Sequence, residues 1–247
     1  MTADLKLDVL AIAAHPDDVE FSCGGTLIKL ISQGYKVGIL DMARGELGTR
    51  GTAAIRASEA EAAARALGVA VRDNLELPDG HIMLTEEFRR RMLRKIRQYR
   101  PTIIFTQYWE DPHPDHVHTA QIVREAGHLA GLAKYDGDSG QQRFRPRAIA
   151  HFNFPRTAIP SFIVDISEVA KQKWEAALCY KSQLYDPASS EPQTMLSSEL
   201  FLKQLEARSR YWGALIGVEF GEAFVVREAL NVDDPVALLS RPMNMYS

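Results

Sequence analysis

Short apolar runs of strand length alternate with helical patterns through the first half of this chain, and that alternation leaves few folds open. Leu7 to Ala14 (LDVLAIAA), Lys36 to Met42 (KVGILDM), Asn74 to Leu77 and Thr102 to Gln107 (TIIFTQ) read as strands. After the first, a helical pattern runs through Thr26, Leu27, Ile28, Leu30 and Ile31 and closes at Gly34. Ala53 to Leu67 is an alanine-based helix ending at Gly68. Thr85 caps a helix that runs to Tyr99, with Glu86 and Glu87 placed to suit its dipole. Another helix follows Asp115 as far as Leu132. Parallel strands need crossovers and helices supply them, so the pattern predicts an α/β fold: a mostly parallel sheet with helices on both faces. The segments are too few for an eightfold barrel.

Beyond this half, Tyr135 to Arg147 is polar and turn-rich and reads as a mobile loop over a site. Ala148 to Asn153, Phe162 to Asp165 and Ala223 to Val226 read as strands, and Val169 to Gln183 and Ser198 to Ile216 as helices. Residues 230–247 are weakly patterned, a tail or a contact arm. No repeat, low-complexity tract or linker divides the chain, which predicts one domain over residues 1–247.

A net charge of −3 offers no basic surface for a phosphate backbone, so nucleic acid is not an expected partner. Cys23 and Cys179 are too few for a disulfide scaffold and read as small buried hydrophobes. Met1 to Asp8 carries charges throughout and reads as neither a signal peptide nor a membrane span. A cytoplasmic chain is the expectation.

Open parallel sheets bind ligands beyond the carboxyl ends of their strands. Those positions hold His15-Pro16-Asp17-Asp18, Arg44 to Arg50 in and before the glycine-rich loop Gly45 to Gly51, Asp79-Gly80-His81, and Tyr108 to His116 (YWEDPHPDH). The densest metal-capable residues thus fall on one expected edge. Either His-Pro-Asp turn alone is equally well read as a plain helix start, with its acids meeting the dipole. Together they point to shared ligation. His15, Asp18 and His116 would give a nitrogen–oxygen–nitrogen set with one position left for water, the open pattern of catalytic zinc. The same donors admit Fe(II), Co(II), Ni(II) or Mn(II). Glu20 reads as a solvated or supporting residue, and His151 as a satisfied core or edge histidine.

Ala14 to Leu27 (AHPDDVEFSCGGTL) with His113 to His116 (HPDH) resembles the PIG-L or LmbE-like family of zinc-dependent N-acetylglucosamine deacetylases. The likeness continues through Gly45 to Thr52 (GELGTRGT), Asn74 to Gly80 (NLELPDG) and Gly217 to Phe224 (GVEFGEAF). These flanking stretches look most like the bacillithiol-biosynthesis branch, whose substrate is N-acetylglucosaminyl malate. The resemblance implies a Rossmann-like fold, zinc on His15, Asp18 and His116, and Asp17 as catalytic acid and base. It implies that a protonated His113 stabilises the oxyanion, oriented by Asp115, and that Arg56 and Arg147 contact substrate. It also implies a homo-oligomer acting on a small amino sugar. Pro112 stands where several relatives carry an arginine. A different class, a non-catalytic module cradling an anion on the glycine loop, stays open; the loop lacks both phosphate-binding glycine fingerprints.

Overall fold

The computed structural model describes residues 5–240 except Arg156; residues 1–4 of the charged N-terminal stretch and 241–247 of the expected tail lie outside the described residues. Seven strands form the sheet: β1 (Val9–Ala13), β2 (Val37–Ala43), β3 (Val71–Leu77), β4 (Ile103–Gln107), β5 (Ala148–Phe152), β6 (Phe162–Asp165) and β7 (Gly221–Val226). The helices are α1 (Asp18–Ser32), α2 (Ala53–Leu67), α3 (Glu86–Tyr99), α4 (Pro114–Ala130), α5 (Ala170–Ala177), α6 (Phe201–Leu215) and α7 (Pro235–Leu239). Strand order is β3-β2-β1-β4-β5-β7-β6. The first five strands run parallel, while β7 lies antiparallel to both β5 and β6. This is the mostly parallel α/β sheet that the alternation predicts, with one reversed strand near its edge.

Alternation along β1 divides the core between the two faces. Leu10, Ile12 and Ala14 pack with Leu40 and Met42 against α3 and α4. Val9, Ala11 and Ala13 pack with Ile39 against Val19, Cys23 and Leu27 of α1. Caps set the helix starts: Thr52 and Thr85 accept from the backbone N–H of Ile55 and Phe88. Gly68, at φ 78°, ends α2 in the left-handed conformation that glycine takes without strain. Among the described residues no helix is long and apolar enough to cross a membrane.

Three expectations change. β3 begins at Val71, ahead of the expected Asn74, because Arg72 and Asp73 hide a strand whose polar groups are paired. Arg72 bridges Asp41 at 2.8 Å and Glu20 at 2.5 Å, and Asp73 meets Lys95 and Tyr99. α5 stops at Ala177, short of Gln183. The turns beyond it send Tyr180 into the core, where its hydroxyl donates to Glu20 at 3.0 Å. The segment from Tyr135 to Arg147 does not cover a site. It leads from the end of α4 to the start of β5, so it lies at the amino edge of the sheet, where Arg147 N–H donates to Thr102 at 2.8 Å.

Candidate metal centre

Neighbouring β1 and β4 carry their chain onward in opposite lateral directions, so a crevice opens beyond their carboxyl ends. The two His-Pro-Asp turns leave from those two ends. His15 and Asp18 come from the turn after β1 and the first residue of α1, and His116 from the first turn of α4. One ligand atom from each lies within 4.8 Å of the others. His15 Nδ1 is 3.6 Å from Asp18 Oδ2, and His116 Nε2 is 3.4 Å from Asp18 Oδ1. Bonds of about 2.1 Å at tetrahedral angles place ligand atoms about 3.4 Å apart; His116 Nε2 and Asp18 Oδ1 meet that spacing, and the nitrogen–oxygen–nitrogen donors suit a divalent cation such as zinc.

Hydrogen bonds fix which oxygen of Asp18 faces this centre. Asp18 Oδ2 accepts from His15 N–H at 2.9 Å and from Gln107 Nε2 at 2.8 Å, leaving Oδ1 toward His116. Gln107, the last residue of β4, also accepts from Ala14 N–H at 2.9 Å and so ties the two strand ends together. His15 Nε2 faces Asp79 at 3.0 Å and Asp115 at 3.3 Å, which leaves Nδ1 as its donor toward Asp18. His15, His113 and Asp115 form a second triad of potential ligands. It fits less well, because Asp115 is already engaged by the backbone N–H groups of Gly80 at 2.8 Å and Ile82 at 3.2 Å.

Asp17 is held apart from the ligands. Its backbone takes φ 107°, a conformation that L side chains avoid. Its carboxylate meets Arg56 Nη2 at 2.9 Å, and the same guanidinium donates to the carbonyl of Pro16. Burial pushes the Asp17 carboxyl up to about 7, against the pull of Arg56. Arg56 therefore reaches the site, but it is only 4% exposed and serves Asp17.

Two implied roles require correction. Asp115 does not accept from His113. Instead its own backbone N–H donates to His113 Nδ1 at 3.2 Å, while its carboxylate serves His15 and two backbone amides. His113 is thus set as the neutral tautomer with its proton on Nε2, and burial together with the neighbouring histidines holds its pKa below the usual value. Its ring stacks on His116, with centroids 4.7 Å apart, and the residue is exposed. Arg147 is the second correction. It precedes β5 at the amino edge, opposite the ligands, because the segment before it approaches the sheet from below.

Other readings resolve at the same place. Glu20 is fully buried and bound to Arg72 and Tyr180, so it is not solvated. His151 is buried, with Nδ1 2.7 Å from the Gln107 carbonyl. The glycine loop makes a poor anion cradle: Leu47 N–H donates to Asp79 and Gly51 N–H to Glu191, so carboxylates of the chain already occupy those donors. Asp79 stood in view at the end of the third strand. The parts played by Gln107 and Asp111 were not assigned, although both lie in the strand-end segment where ligands gather.

Fold and site together define an α/β protein that presents a histidine–aspartate–histidine ligand set at the switch point of its sheet. The chain belongs to the GlcNAc-PI de-N-acetylase family, PIG-L, which its residues 10–127 match. It is 30% identical over 227 residues to the diacetylchitobiose deacetylase of Thermococcus kodakarensis, spanning 87% of this chain and 80% of that protein. Among solved structures, a conserved protein of Thermus thermophilus superposes with TM-score 0.81 at 36% identity, covering 92% of this chain and 97% of that one. The N,N'-diacetylchitobiose deacetylase of Pyrococcus horikoshii superposes with TM-score 0.78 at 28% identity, covering 88% and 82%.

Proposed function

We infer that this chain is a metal-dependent N-deacetylase that hydrolyses the acetamide of an N-acetylglucosamine unit, with zinc as its metal. One observation carries the reading: His15, Asp18 and His116 converge on a common centre while the adjacent Asp17 is buried beside them and paired with Arg56. A cation held there supplies Lewis acidity to the acetyl carbonyl and acidifies water. Asp17 takes the proton of the attacking water as its oxygen adds to the carbonyl carbon. His113 donates from Nε2–H to the oxygen on which charge develops. Asp17 then delivers the proton to the departing nitrogen as the C–N bond breaks, giving acetate and a free amine. Arg56 keeps the Asp17 carboxylate in place throughout.

The substrate reading follows from the cations around the site. N-acetylglucosaminyl malate, the conjugate to which the flanking motifs point, needs partners for its carboxylates. Arg56 is engaged with Asp17, Arg147 lies at the opposite edge, and position 112 is proline. A neutral N-acetylated sugar, of the kind named for the diacetylchitobiose deacetylases, suits these surroundings better. The deciding experiment measures acetate and free amine from zinc-reconstituted protein on diacetylchitobiose, N-acetylglucosaminyl malate, an inositol-linked N-acetylglucosamine and a thiol-conjugate amide. Release from diacetylchitobiose above the others supports the neutral-sugar reading. Preference for the malate conjugate reverses it, and no acetate from any N-acetyl sugar removes the deacetylase reading.

A further inference from the structure

His116 has a contact on each ring nitrogen. Nε2 faces Asp18, and Nδ1 lies 3.1 Å from Asp111 Oδ1. The Asp111 contact is close but bent off the ring N–H axis, short of a formed hydrogen bond. Asp111 is itself gripped from behind. Its Oδ1 accepts from His113 N–H at 2.8 Å, and its Oδ2 accepts from Asn153 Nδ2 at 3.0 Å. Asn153 Oδ1 in turn accepts from Arg208 Nη1 of α6 at 3.1 Å.

Chemistry fixes the direction of this series. A guanidinium only donates and an ionised carboxylate only accepts. Asn153 must therefore turn its oxygen to Arg208 and its amide nitrogen to Asp111. An aspartate held in that way turns Oδ1, which has a second lone pair beyond the one taken by His113 N–H, toward the imidazole. Asn153 also stands at φ 55°, in the left-handed region that asparagine and aspartate tolerate.

We propose that Asp111, fixed by Asn153 and through it by Arg208, is the positioning carboxylate of His116. It holds the ring with its proton on Nδ1, so that Nε2 presents its lone pair beside Asp18. The role rests on the ligand reading above and extends it to three residues outside the ligand set, one of them on α6. Imidazole ligands commonly donate their second ring N–H to a carboxylate, and loss of that partner typically costs about 10–100-fold in metal affinity.

The test uses the full chain stripped of metal, with zinc affinity read by competition against a chromophoric chelator at one pH and stability read by thermal melting. Asp111→Asn is expected to weaken zinc binding about 10–100-fold. Its new amide nitrogen would face that of Asn153, so some stability is lost as well. Combining Asp111→Asn with Asn153→Asp restores a donor–acceptor match to both neighbours while leaving no charge at residue 111. That pair is expected to regain the melting temperature but not the zinc affinity, an outcome that a purely structural Asp111 would not give. Asp18→Asn serves as the control for the ligand set. If it loses zinc while the paired variant binds within about twofold of the native protein, the positioning role is wrong and the ligand reading stands. If Asp18→Asn binds zinc as the native protein does, the ligand reading fails and takes the positioning role with it.

Discussion

Strain at one backbone position marks the junction of two adjacent acids with different partners. With φ at 107°, Asp17 begins α1 without capping it, and its carboxylate faces Arg56 while that of Asp18 faces the histidines. Division of labour between neighbouring carboxylates is set here by those partners. Asp17→Asn keeps the size and hydrogen-bonding reach of the side chain but removes the proton acceptor. The variant is expected to bind zinc as the native protein does and to lose at least about 100-fold in turnover. Metal analysis paired with steady-state kinetics checks both halves, and near-native turnover would exclude Asp17 as the base. At this scale the convergence of His15, Asp18 and His116 was legible, because His-Pro-Asp turns at strand ends announce both donors and their edge. Gln107 and Asp111 were not, since a glutamine ending a strand and an aspartate in a turn acquire their roles only when segments distant in sequence converge. The resemblance implies that Asp115 orients His113, but a motif does not tell which way a carboxylate points in the first turn of a helix.

Pairing between elements decides how the reversed edge of the sheet is attached. Lys173 of α5 and Glu222 of β7 meet at 2.7 Å, each 2% exposed, and Glu222 also accepts from Gly25 N–H and from the N–H and hydroxyl of Thr26 in α1. One buried carboxylate thus ties three elements. Removing its cation leaves the charge stranded, so Lys173→Met is expected to cost about 3–5 kcal/mol in urea unfolding. Adding Glu222→Gln is expected to lessen that loss, and strictly additive costs would show that the pair is not coupled. Strands β1, β2 and β4 were readable as mainly apolar runs buried on both faces. β3 was read only in its second part, because ion pairs satisfy the polar residues of its first. The direction of β7 is a property of the whole sheet, and a short apolar run cannot state it.

On the scale of the molecule, the two edges of the sheet do different things. Ligands gather at the carboxyl edge, while the amino edge is pinned for stability. Buried Asp136, in the segment expected to be a mobile loop, takes Arg94 Nε at 2.8 Å and Arg90 Nη1 at 3.0 Å from α3. Those hydrogen bonds, Arg94 foremost, lower its carboxyl to about 2. A depressed carboxyl contributes stability above its unfolded value and loses it as pH falls toward the folded one. Both arginines are partly exposed, which keeps the contribution modest. Asp136→Asn should therefore melt below the native protein at pH 7, with the gap closing between about pH 4 and pH 2, and turnover should be unchanged. A gap independent of pH would separate Asp136 from this role. The same separation of edges sets Arg147, which the resemblance assigns to substrate, apart from the histidines: only the path from α4 to β5 shows which end it occupies.

The account stands or falls on one cation per chain serving amide hydrolysis, and acetate release titrated with zinc tests this directly. Protein stripped of metal, supplied with diacetylchitobiose and increasing zinc, should release acetate at a rate that rises in proportion and breaks at one zinc per chain. Undiminished release from the stripped protein, or zinc uptake that brings no acetate, would contradict it.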